Sequence, residues 1–267
     1  MIRALAEAGI EPRVISGTSM GAIIGALVAS GRFEAAREEI LSADLPKVVS
    51  YVDPRILGSG LIDGWRVYRL LRAWFGLADI EGLARKFCAV ATDLSSGEEV
   101  VMRSGSLASA VRASISIPGV FSPWFREGRW LVDGGLVDPV PCGPARAMGA
   151  EFVIAVDLNR SLPDSTISMG PPRRLRHGRL HAVTSGGEQP EAPADGHEPG
   201  FLSVLVNSLL IGHSMLSVLR ATVEPPDLLI SPDLSAFSGT EFHRAAELAE
   251  AGYAAAVERL SPIAGKL

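Results

Sequence analysis

Ser19 stands between Gly17 and Gly21 in the run Val14-Ile-Ser-Gly-Thr-Ser-Met-Gly-Ala22, where a short β-branched stretch meets an apolar helical one. A serine becomes a nucleophile when a tight strand-to-helix turn exposes its Oγ. Glycines two residues to either side then give strand and helix room to approach. The helix expected from Ala22 to Ala29 aims its N-terminal amides at that oxygen and favours the negative charge of an acyl-transfer intermediate. The Met20 N–H is the nearest oxyanion donor. A run of this kind also arises in loops by chance, so it is the strand-then-helix context that points to nucleophilic hydrolysis.

The second chemical residue is Asp133, in Trp130-Leu-Val-Asp-Gly-Gly-Leu-Val-Asp-Pro139. An apolar strand delivers a carboxylate onto Gly134 and Gly135, which suits a strand end with close backbone approach. By itself Asp-Gly-Gly reads equally as a turn. The five histidines all follow residue 170. A Ser-His-Asp triad would have to recruit one of them, whereas a Ser/Asp dyad needs none.

Together, Gly17-Thr-Ser-Met-Gly21 and Asp133-Gly-Gly135 resemble the patatin-like phospholipase family, in particular its bacterial members. Ala91-Thr-Asp-Leu-Ser-Ser-Gly97, Ala113-Ser-Ile-Ser-Ile-Pro-Gly-Val-Phe121 and Gly149-Ala-Glu-Phe-Val-Ile-Ala-Val-Asp157 fit the same pattern in the same order. The resemblance covers residues 1–160 and, more weakly, 201–257. It implies a three-layer α/β/α fold with a mainly parallel sheet sandwiched between helices. It also implies a Ser/Asp dyad, with Ser19 as nucleophile and Asp133 as general base, acting on lipid acyl esters of the phospholipase or lysophospholipase type. The alternative is a catalytically impaired relative that binds lipid or regulates.

The family pattern opens with a strand and a Gly-rich loop that supplies most of the oxyanion hole. This chain opens at Met1-Ile-Arg-Ala-Leu-Ala-Glu-Ala-Gly9, which reads as the tail of the helix after that loop, with Gly9 at its C-terminal end. Losing one oxyanion donor typically costs about 10² to 10³ in rate. The expectation is therefore a natural start further upstream, and an impaired enzyme if there is none.

The elements that must position these residues read as alternating strands and helices in one α/β domain over 1–267. Strands are predicted at 14–16, 87–92, 99–103, 130–132, 152–156 and 228–230. Helices are predicted at 22–31, 32–42, 65–75, 107–113, 144–148, from 201, and at 240–260 with Thr240 as cap. Strand, helix, strand over 130–156 implies parallel pairing through a right-handed crossover. Phe201 to Leu219 is long enough to span a bilayer but reads as a buried core helix. Asp138 and Asp157 read as caps or turn residues, and 44–80 as connecting structure in preference to a cap over the site.

Residues 160–200 are rich in Pro, Gly and charge, without a hydrophobic period, and read as a flexible insertion. Their basic cluster, Arg173 to His181, is taken as solvated linker. A net charge of -5 and no basic block with interleaved aromatics argue against nucleic acid as a partner. Cys88 and Cys142 read as buried free thiols. No Cys/His spacing suggests a metal, and no cofactor is implied. With no apolar leader, the expected location is cytoplasmic, with at most peripheral membrane contact.

Overall fold

The computed structural model describes residues 1–42, 44–51, 53, 60–159, 201–237 and 244–265. In chain order the elements are α1 (Ile2–Glu7), β1 (Val14–Thr18), α2 (Met20–Ala29), α3 (Phe33–Leu41), α4 (Leu45–Ser50), β2 (Gly60–Ile62), α5 (Trp65–Phe75), β3 (Lys86–Asp93) and β4 (Glu99–Met102). They continue with α6 (Leu107–Ser114), β5 (Gly119–Phe121), β6 (Trp124–Arg126), β7 (Arg129–Asp133), α7 (Cys142–Ala147), β8 (Ile154–Val156), α8 (Phe201–Val223), β9 (Leu228–Ile230) and α9 (Ala245–Leu260). The fold is a three-layer α/β/α arrangement of the expected class.

The main sheet is mixed and has five strands, with β3 at its centre. β1 runs parallel to β3 with Thr18 opposite Val90, and β4 pairs antiparallel over Ala89 to Thr92. β7 pairs antiparallel with Asp133 opposite Ala91, and β6 continues from β7. β4 shares β3 positions with both β1 and β7, so those two strands occupy its opposite edge. They meet there end to end, their carboxyl termini one β3 residue apart, about 3.3 Å of rise. Two further pairs, β2 with β5 and β8 with β9, are parallel.

Alternation along β1 sets the layers. Ile15 packs toward α2, while the Ser16 hydroxyl donates to the Pro141 carbonyl at 2.6 Å and the Thr18 hydroxyl to the Asp138 carbonyl at 2.7 Å. α2 thus covers one face, and the segment leading into α7 covers the other. The principal core joins α2, α5 and α6 to the sheet through Leu27, Leu71, Phe75, Phe87, Val111 and Leu131. Smaller clusters unite α1, β9 and α9 around Leu5, Ile230 and Leu260, and α7 with β8 around Cys142 and Ala155.

Several expectations are corrected. β8 pairs with β9 rather than with β7, so the strand-helix-strand run at 130–156 does not close on itself among the described residues. The final helix starts at Ala245, and Thr240, its expected cap, lies outside the described residues, as does all of 160–200. α8 is not a core helix, since Met215, Val218, Leu219 and Val223 are exposed. A charge-free run has the same sequence signature whether protein covers it or not. Cys88 and Cys142 are buried and free. Burial pushes the two thiols up, to about 12 and about 11 respectively.

Candidate active site

Ser19 occupies the single residue between β1 and α2, at φ 53 and ψ -120. Positive φ is uncommon for a non-glycine residue and costs on the order of 1–3 kcal/mol where the surroundings enforce it. What enforces it is crowding beneath the turn. A Cβ at Gly17 would be driven into the Gly21 carbonyl and to 2.7 Å from the Ala22 nitrogen, so only glycine lets the strand turn so abruptly into the helix. Gly21 is different: a Cβ there meets nothing within 4 Å, and the expectation that crowding demands both glycines holds for Gly17 alone.

No side chain caps α2. Its first amides, including that of the half-exposed Met20, therefore face the space around Ser19 as the partial positive charge of a helix N-terminus. The Ser19 N–H itself is taken, donating to Ser114 Oγ at 2.9 Å.

Asp133 ends β7 and is 1% exposed. Its Oδ1 accepts from the Gly135 N–H at 2.8 Å, and its Oδ2 has no hydrogen-bond partner among the described residues. Burial pushes the carboxyl up to about 6, while the Ser19 hydroxyl and the Gly135 N–H pull it back down. Ser19 is thus close enough to act on the ionisation of Asp133 without a hydrogen bond of ordinary geometry. The meeting of β1 and β7 on one edge of β3 accounts for that closeness. Gly134 makes the junction possible, because a Cβ there would strike the Val90 carbonyl and come within 3.0 Å of the Thr18 methyl.

Two residues that the sequence did not single out for this site lie beside it. His213 on α8 packs against Gly135, where an added Cβ would lie 2.5 Å from His213 Cε1. Burial pushes its imidazole down from the ordinary value, and its Nε2 has no partner among the described residues. Nothing local in the sequence couples α8 to the Asp-Gly-Gly turn. The other is Asp138, read as a turn residue but 1% exposed, with both carboxylate oxygens unpartnered among the described residues. Burial pushes its carboxyl up to about 7; Arg220 pulls it down, Glu99 and Glu224 push it further up, and the nearby Val140 N–H, without a hydrogen bond of ordinary geometry, pulls it down slightly. Asp157 does behave as a turn residue, accepting from the Asn159 N–H at 2.9 Å and from the Ser217 hydroxyl.

A groove of about 310 Å³ on the sheet is lined by Glu99, Met102, Arg126, Glu127, Arg129 and Leu131 among others, and it includes neither Ser19 nor Asp133. Its charged walls do not suit an acyl chain. No group of His, Cys, Asp and Glu able to hold a metal occurs among the described residues.

Comparison with known proteins gives relatives that include NTE family and patatin-like phospholipase domain-containing proteins. An uncharacterised NTE family protein of Mycobacterium tuberculosis is 34% identical over 260 residues, covering 94% of this chain and 42% of the relative. A second, of Mycobacterium bovis, is 38% identical over 161 residues, 60% of this chain and 45% of the relative. Patatin-like phospholipase domain-containing protein 7 of Rattus norvegicus is 34% identical over 164 residues, 59% of this chain and 12% of that protein. The chain spans less than half the length of these relatives. A family model described as patatin-like phospholipase matches residues 1–146. That match takes in Ser19, Asp133 and more than half of the sequence, and the chain belongs to the patatin-like phospholipase family.

Proposed function

We propose that the protein is a serine acyl hydrolase of lipid esters working through Ser19 and Asp133. Asp133 takes the Ser19 proton as Oγ attacks the ester carbonyl, and the alcohol leaves with that proton. Water, deprotonated by Asp133 in its turn, then attacks the acyl-enzyme, and the fatty acid leaves as Asp133 returns the proton to Ser19 Oγ. The α2 N-terminus, with the Met20 N–H nearest, supports the tetrahedral oxyanion. The observation that carries the reading is a strained serine beside a buried carboxylate, at a helix N-terminus with no side-chain cap and with one carboxylate oxygen unpartnered among the described residues. Burial serves the base as well as holding it, since a carboxyl near 6 accepts a proton more readily than an ordinary aspartate and is still ionised at neutral pH.

A lipid rather than a small soluble ester is favoured by the family and by the exposed apolar residues of α8, which support peripheral contact with a lipid surface. Labelling with a fluorophosphonate probe tests the chemistry. Wild type is expected to form an adduct that Ser19→Ala abolishes. Lipid binding unchanged by Ser19→Ala, with no adduct in wild type, would establish the non-catalytic lipid-binding module instead.

A further inference from the structure

The Ser19 N–H is already committed to a side chain and so is not a free donor for the oxyanion. Its partner is Ser114 Oγ at 2.9 Å, and the same hydroxyl donates to the Val90 carbonyl at 2.6 Å. Val90 lies opposite Thr18, at the point on β3 where β1 stops and β7 begins. One fully buried hydroxyl thereby ties the backbone of the candidate nucleophile to the strand between the two halves of the pair.

Ser114 is itself held firmly. It closes α6, two residues after Arg112, whose guanidinium is 0% exposed and donates to Ser116 Oγ at 2.7 Å and to the carbonyls of Gly64, Asp63 and Ser122 at 2.9 to 3.2 Å. Ser116 in turn accepts the Asp133 N–H on its carbonyl at 2.9 Å. The segment 112–116 therefore grips Ser19 with a side chain and Asp133 with its backbone. Only the grip on Ser19 can be removed by substitution.

We propose that Ser114 is a positioning residue for catalysis, fixing the Ser19 backbone so that Oγ faces Asp133. This rests on the hydrolase reading above. Ser114 is fully buried and so out of reach of a bound ester, and its loss is expected to act on the chemical step and not on binding. Misplacement of a reacting group by about 1 Å can cost about 10² in rate.

The test compares wild type with Ser114→Ala, measuring kcat and KM on a soluble ester and the rate of fluorophosphonate labelling. For Ser114→Ala, kcat and the labelling rate are expected to fall by about 10- to 100-fold with KM within about twofold of wild type. Ser114→Thr, which keeps the hydroxyl, is expected to recover most of the loss. If the alanine variant fails to fold, Ser114→Cys keeps the volume with a weak S–H donor and is expected to show the same split. Wild type labelled at Ser19, but with kcat unchanged in a folded variant or with the loss confined to KM, overturns the positioning role alone. Wild type that is never labelled overturns the hydrolase reading and this proposal with it.

Discussion

In the proposed dyad Ser19 is strained and Asp133 is buried, and the burial predicts a distinct experimental signature. Because burial holds the Asp133 carboxyl near 6, kcat/KM is expected to rise with pH through about 6 and to level off above it. Asp133→Asn should remove that limb and lower the plateau by about 10² to 10⁴, the usual worth of a general base. A profile flat from pH 5 to 8 in wild type would contradict the assignment of Asp133 as base. Both residues were legible in the sequence because each announces itself within a few positions, a serine between spaced glycines and an aspartate before two. Ser114 was not legible as a partner of Ser19, for the hydrogen bond joining them spans 95 residues. His213 was passed over for the same reason, its packing on Gly135 being set by where α8 docks.

At the scale of elements, the turn from β1 into α2 depends on its two glycines unequally. Gly17→Ala pushes a methyl into the backbone of the helix and is expected to destabilise the protein by about 1–3 kcal/mol and to abolish labelling of Ser19. Gly21→Ala places a methyl in open space inside α2 and is expected to raise stability by roughly 0.5–1 kcal/mol. Thermal unfolding of the two variants checks the contrast, and equal destabilisation would refute the crowding argument. The sequence foretold β3, β4, α5 and α6 to within a residue or so, since each carries its own periodicity or caps. β2, β5 and β6 escaped it, being three residues each and too short to show alternation. The pairing of β8 with β9 escaped it too, because strand order along the chain does not determine which edges meet.

At the scale of the whole molecule, the buried Asp138 carboxyl makes stability depend on pH. Its folded carboxyl titrates near 7, above the ordinary aspartate value of about 3.9, so the folded state binds a proton that the unfolded state has released. That contribution is fully present below about pH 4 and is lost as pH rises through 7. The protein should therefore lose up to about 4 kcal/mol from this group between pH 4 and 8. Asp138→Asn is expected to unfold at a higher temperature than wild type at pH 8 and to differ little from it at pH 4. Equal destabilisation at both pH values would show that the carboxylate is satisfied after all. The exposed side of α8 allows a second whole-molecule test: Val218→Glu with Leu219→Glu is expected to reduce co-sedimentation with phospholipid vesicles and to leave turnover of a soluble ester intact. Finally, β1 and β7 meet on one edge of β3 although Thr18 and Asp138 at the same junction lie 120 positions apart, so nothing near the chain's beginning can become reactive until its middle has arrived. Such distant closures are paid late in folding. Reactivity at Ser19 should thus work as a clock for assembly, returning during refolding no earlier than the β1–β3–β7 junction closes.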